Sequence, residues 1–307
     1  MTTAPAISTT GVARSFGDVQ AVRDASFEAH HGQVTALIGP NGSGKTTLLL
    51  MLATLLKPDA GQIRVEGHDP LTAPRDVRRA IGWMPDILGS WNSLTVRQAL
   101  DTTARLYEFT PKDAAARADE LIERIGLRAL ADQPSRVLSR GQKQKLSLAR
   151  ALVHRPRVLL LDEPASGLDP AARVELRQLV RELAADGAAV LLSSHVLAEL
   201  DEMSDAAVYL DRGATATVES VQAAKATARR WRIRALDPAA LDAALAATGR
   251  PAVGADHLGT LVEITGEADA AELLGRLVAA GVGITAYGPA VGELEQTFLD
   301  LAKGGQQ

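Results

Sequence analysis

The chain has 307 residues with 33 Lys+Arg against 37 Asp+Glu, a net charge of -4 and a pI near 5.9, so a basic surface for coating nucleic acid is not expected. Three Trp, three Tyr and four Phe leave few rings on which bases could stack, and zero cysteines exclude disulfides, thiolate metal sites and thiol nucleophiles. With 46% hydrophobic and 23% charged residues the composition is globular, and the length predicts one large domain or, as we expect, two unequal ones.

The opening residues MTTAPAISTTGVARSF lack the basic start and apolar block of a secretory signal, which favours a cytoplasmic chain. Residues 33 to 38, QVTALI, form an apolar run that ends at GPNGSGKTT and is followed by LLLMLATLL, the pattern of strand, glycine-rich turn and helix. The apolar stretch Leu48 to Leu56 lies between Lys45 and Lys57 and is far shorter than the roughly 20 residues that span a bilayer, so no self-inserted span is expected. TVRQALDTTARLY and AARADELIERIGL, within 95 to 130, read as amphipathic helices with no strand between them, a helical insertion beside a sheet. VLLL within Arg157 to Asp162 and AAVLLS from Ala188 to Ser193 read as buried parallel strands. The helix between them has Asp169 as cap, Pro170 at its first position, Leu176, Leu179, Val180 and Leu183 on one face, and Gly187 as its stop. A strand, helix and strand in that order predict a right-handed crossover.

After the hairpin-like AVYLDRGATATV the pattern changes. RRWRIRAL and TLVEIT alternate as strands do, whereas PAALDAALAATG, DAAELLGRLVAAG and VGELEQTFLDLA read as helices, which predicts a small α+β domain of split βαβ type. Arg230, Arg232 and Arg234 alternate with Trp231 and Ile233, predicting one solvated and one buried strand face.

Two motifs carry chemistry. Gly39, Pro40, Asn41, Gly42, Ser43, Gly44, Lys45 and Thr46 satisfy GxxxxGK[ST] between a strand and a helix, with Thr47 following. Glycines let backbone N–H groups converge on phosphate oxygens, the helix terminus adds positive potential, Lys45 neutralises the β and γ phosphates, and Thr46 offers a hydroxyl to Mg²⁺. Asp162 and Glu163 end a buried strand where an α/β sheet opens its ligand crevice. That position predicts Asp162 as a holder of Mg²⁺ and Glu163 as the base that polarises the attacking water.

With Leu138, Ser139, Arg140, Gly141 and Gln142 between these motifs, the chain resembles the ATP-binding subunit of an ABC transporter, whose signature is LSGGQ and which here has Arg140 in place of a glycine. The resemblance implies the P-loop ABC ATPase fold, a mixed α/β domain over 1–221 with a helical insertion over about 87–155, and an accessory α+β domain over 222–307 that is regulatory or supports dimerisation. It implies ATP and Mg²⁺ as ligands, and a dimer with a second copy or a homologous subunit in which each signature touches the other's nucleotide. It also implies a separate transmembrane permease at the cytoplasmic face of the membrane, substrate export, and no nucleic acid partner.

The same resemblance assigns Phe16 to adenine stacking, with a core aromatic as the alternative, and Ser166, Gly167, Leu168 and Asp169 to the loop between the two sites. It gives His195 the role of holding the γ-phosphate and positioning water; the remaining histidines stand in no such motif and are read as surface residues. Where the family has Gln, this chain has Asp86, an oxygen donor that also brings negative charge near the phosphates. Ile87 and Trp91 follow where the resemblance places the permease groove, although Trp91 buried within the insertion is an equal alternative. A nucleotide-regulated scaffold and a non-transport ABC ATPase stand as rival functions.

Overall fold

The computed structural model describes residues 4–304 except 88, 90, 195, 218–219 and 222–227. The chain divides into two compact units, Met1–Thr215 and Ala216–Gln307.

In the first unit, three strands, β1 (Ile7–Phe16), β2 (Val19–Ala29) and β4 (Ala60–Val65), form an antiparallel wing. The wing meets a set of short strands: β3 (Val34–Ile38), β5 (Ile81–Met84), β6 (Val158–Asp162), β7 (Ala189–Ser193) and β8 (Ala206–Asp211), of which β3, β6 and β7 are buried along their whole length. With β9 (Ala214–Thr215) they complete one sheet in the order β4-β1-β2-β9-β8-β3-β7-β6-β5. From β8 to β5 every neighbouring pair is parallel. The largely apolar sequences of β3, β6 and β7 suit burial on both faces, and the parallel direction brings the C-terminal ends of all five strands to one edge.

Helices α1 (Lys45–Leu52), α2 (Pro74–Ala80), α6 (Pro170–Ala185) and α7 (Leu197–Met203) connect the strands. Leu48, Leu49, Met51 and Leu52 of α1 pack with Leu37, Leu160 and Leu191 in the main core. The insertion comprises α3 (Val96–Leu106), α4 (Pro111–Arg124) and α5 (Arg140–Leu152). Thr95 caps α3 in a reciprocal capping box with Gln98, and Thr110 caps α4 ahead of Pro111, so local sequence fixes where both begin.

The second unit holds β10 (Arg229–Ala235), α8 (Pro238–Ala247), β11 (Gly254–Asp256), β12 (Gly259–Ile264), α9 (Gly266–Ala279), β13 (Ile284–Pro289) and α10 (Glu293–Gly304). Its sheet order is β11-β12-β10-β13 with antiparallel pairing throughout. Strand β12 therefore sits between β10 and β11, which are joined by α8, the split βαβ arrangement read from the alternation. Ile233, Leu245, Val262, Ile264, Leu273 and Leu277 fill a core of its own. Arg230 and Arg234 are exposed while Ile233 is fully buried, as the period of two requires.

Candidate nucleotide site

The parallel edge explains the site. Strand β3 ends at Ile38 and the chain turns through residues 39–44 into α1, whose first residue is Lys45. Gly44 adopts φ 104°, and a Cβ there would lie 2.3 Å from the Ala21 carbonyl oxygen, so both conformation and space demand glycine. Beneath the loop Ser43 is 2% exposed and its Oγ has no protein partner. A buried hydroxyl without a partner under a loop of N–H groups at a helix N-terminus is the donor that a phosphate oxygen would satisfy. Lys45 Nζ donates to the carbonyls of Gly39 at 2.8 Å and Pro40 at 3.1 Å. Burial pulls the Lys45 ammonium below its usual range, and the charges of Glu163 and Asp162 oppose that shift.

Strand β6 brings the acids to the same edge. Asp162 is 2% exposed and accepts from Thr46 Oγ1 at 2.9 Å through one oxygen and from Ser193 Oγ at 2.5 Å through the other. Glu163 follows with φ 51°, rare for a residue with a side chain. Its N–H points at the Ser193 carbonyl and hydroxyl oxygens, each at 3.2 Å. A cleft of about 500 Å³ is lined by Phe16, Asn41, Gly42, Gly44, Lys45, Thr46, Thr47, Asp86, Asp162 and Glu163 among others. Pairing Thr46 with Asp162 offers hard oxygen donors suited to Mg²⁺. Among the described residues no group of three His, Cys, Asp or Glu could hold a metal, so a cation here would depend on water and phosphate for its remaining ligands.

Phe16 is 48% exposed on this cleft with the Arg14 guanidinium 4.9 Å from its ring centre, which removes the core-aromatic alternative. Leu138 is buried, and Ser139 caps α5 in a reciprocal box: Gln142 N–H donates to its Oγ at 3.3 Å and its own N–H donates to Gln142 Oε1 at 2.9 Å. Neither these residues nor Arg140 and Gly141 line the cleft of their own chain. Ser166 and Gly167 lie between the acidic strand end and α6, Leu168 is buried, and Asp169 caps α6 by accepting from Ala172 N–H at 2.9 Å. Ile87 is 85% exposed. Trp91 is 40% exposed, so it is not a core residue of the insertion; its ring lies under Arg150, with the guanidinium centre 4.8 Å from the ring centre. His195 lies outside the described residues.

One expectation fails. His154 is not a surface histidine: its ring stacks on Tyr107 at 3.8 Å, Nε2 faces the Ile81 carbonyl at 2.8 Å, and Nδ1 is buried without a partner. Sequence reasoning also missed Ser193, which stands directly beside Asp162 in the parallel pairing of β6 with β7, and Gln144, whose amide reaches the Glu163 carbonyl at 3.0 Å. The polar pair Ser193-Ser194 at the end of an otherwise apolar strand was the available signal for the first.

A phosphate loop, a paired Thr and Asp, and an adjacent Glu at one sheet edge define a nucleotide-binding α/β protein of the P-loop class. The ABC transporter family model matches residues 22–166. The chain is 40% identical over 208 residues to the daunorubicin resistance ATP-binding protein DrrA3 of Streptomyces coeruleorubidus, covering 68% of this chain and 66% of that protein. It is 30% identical over 305 residues to YdbJ of Bacillus subtilis, an uncharacterized ABC transporter ATP-binding protein, covering 99% of this chain and 97% of that one. A solved ATP-binding subunit of an ABC transporter superposes with a TM-score of 0.64 at 28% identity over 71% of this chain and 92% of its own. The chain belongs to the family of ABC transporter ATP-binding proteins, whose cassettes bind nucleotide and are ATPases. Among the described residues no helix is long and apolar enough to cross a membrane.

Proposed function

We propose that this chain hydrolyses ATP as one half of a nucleotide sandwich, paired with a second copy or a homologous subunit, and thereby powers export through a separate transmembrane permease. One observation carries the reading: Lys45 and Thr46, and Asp162 and Glu163, from two distant stretches of sequence, line a single cleft. The phosphate loop from Gly39 to Thr47 cradles the phosphates, with Lys45 on the β and γ oxygens and the Phe16 ring against adenine. Thr46, Asp162 and Asp86 hold Mg²⁺, which neutralises charge developing on the phosphates. Glu163 takes the proton of the attacking water, and His195 steadies the γ-phosphate.

The signature from Leu138 to Gln142, with Ser139 and Arg140 exposed and outside its own chain's cleft, faces the nucleotide of the opposite subunit, with Ser166, Gly167, Leu168 and Asp169 between the two sites. Ile87 and Trp91 meet the permease, which holds the chain at the cytoplasmic face of the membrane. The export direction rests on similarity to a daunorubicin resistance protein.

Mg-ATP turnover tests this, with the wild type beside Glu163→Gln and dimerisation followed in the same samples. We expect the substitution to abolish turnover while ATP-dependent dimers accumulate. Undiminished turnover would remove Glu163 from its role as base.

A further inference from the structure

The helix that begins with the signature is tied to the segment carrying Glu163 in its own chain. Arg140 and Gln144 lie one turn apart on the same face of α5. Arg140 Nη2 donates to Ser166 Oγ at 2.8 Å, and Gln144 Nε2 donates to the Glu163 carbonyl oxygen at 3.0 Å. The two bonds grip positions three residues apart. Gln144 is 3% exposed, so this bond is made away from water, where a lost partner is not readily replaced. At Gly167, with φ 73°, a Cβ would lie 2.4 Å from Arg140 Nε, so the loop passes against the arginine stem only because that residue is glycine.

What is gripped is strained. Glu163 holds φ 51°, and such backbone persists only where the surroundings impose it. Ser193 fixes its N–H from the β7 side, while its carbonyl receives the Gln144 amide and the Ser166 N–H, the latter at 3.0 Å. The conformation of Glu163 is thus set jointly by the sheet and by α5.

We propose that Gln144 and Arg140 form a two-point clamp through which the signature helix positions Glu163 of the same chain. The inference rests on the functional reading above, in which the exposed start of α5 touches the partner's nucleotide. Contact there shifts or steadies α5, and the clamp carries that displacement to the base acting on the chain's own nucleotide. Gln144 acts directly on the main chain of Glu163, and Arg140 acts on Ser166. The second grip needs a long side chain where the family signature has glycine. Toward Glu163 both act as positioning residues, because neither lines the cleft of their own chain.

Steady-state Mg-ATP turnover of the full chain decides it. Gln144→Met keeps the side-chain length and removes the donor; kcat should fall about tenfold, because the buried carbonyl loses a partner. KM for ATP should stay within about twofold and ATP-dependent dimers should persist, a split that a general loss of structure would not give. Arg140→Met and Ser166→Ala should each lower kcat about threefold, and the double substitution should be no slower than either single one.

Wild-type kcat in Gln144→Met, with Glu163→Gln inactive, would overturn the clamp and leave the functional reading intact. A Glu163→Gln chain that turns over normally would remove the reading and the clamp together. Should Gln144→Met fail to fold, the Arg140 and Ser166 cycle decides alone, and multiplicative effects of the two substitutions would overturn the proposal.

Discussion

The two units are built from the same materials, Ala- and Leu-rich helices laid on a sheet, yet among the described residues the nucleotide cleft is built by the first. In the first, parallel strands β3, β6 and β7 end on one edge, so Gly39 to Lys45, Asp162 with Glu163, and Ser193 become neighbours by topology. Neighbouring strands of the second unit run in opposite directions, and charged side chains of that unit pair with one another: Arg232 of β10 with Asp256 of β11, and Arg250, after α8, with Asp269 of α9. Parallel order turns distant sequence into a site, whereas antiparallel order mainly closes a core.

The largest effect expected on this contrast comes from emptying the second core. Leu277 is fully buried among Ile233, Leu245 and Leu273, and Leu277→Ala should cost about 2–5 kcal/mol. Calorimetry should show the loss in one unfolding transition, while KM for ATP is unchanged. A matching rise in KM would show that the two cores do not act separately.

A smaller but more local effect belongs to the phosphate loop. Gly44→Ala adds a Cβ at φ 104° against the Ala21 carbonyl oxygen, and nucleotide affinity should fall on the order of a hundredfold, the equivalent of about 3 kcal/mol of strain. Titration with a fluorescent ATP analogue measures it. Unchanged affinity would mean that the loop is not the phosphate cradle.

Next comes Ser193→Ala, which removes the hydroxyl from Asp162 and from the Glu163 N–H. A bond to a charged group is worth about 1.5–3 kcal/mol, so urea unfolding should show a loss of that order. Thr46 still donates to Asp162, so turnover should be reduced rather than abolished.

How far the sequence disclosed all this depended on whether a residue's partner is local. The phosphate loop was legible because GPNGSGKTT carries its own geometry. Asp169 was legible as a cap for the same reason. Gln144 and Ser193 were not, because each acts only through a register or a backbone angle that the fold creates: Asp162 beside Ser193 across two strands, and Glu163 at positive φ. Trp91 stood undecided between core and surface until Arg150, from a helix far along the chain, was found over its ring.

His154 was misread on the same ground, and its smaller effect can be drawn out by pH. Tyr107 from the end of α3 stacks on it, Ile81 at the start of β5 faces Nε2, and Arg117 from α4 adds a positive charge nearby. Burial holds its pKa below the usual 6.5 of a histidine, with the Ile81 carbonyl opposing and Arg117 adding to the shift. The folded chain therefore keeps His154 neutral, with the proton on Nε2 toward Ile81, where the unfolded chain would protonate it. The unfolded state binds more protons, so stability from this group is complete above about pH 6.5 and declines as pH falls from there toward the lowered folded value. His154→Phe retains a ring for Tyr107 and removes the titration. Urea midpoints measured from pH 7.5 to 5 should fall less steeply in the variant than in the wild type, by a margin smaller than the Ser193→Ala effect. Parallel slopes would mean that His154 is protonated equally in the folded and unfolded chains and that burial does not shift its titration.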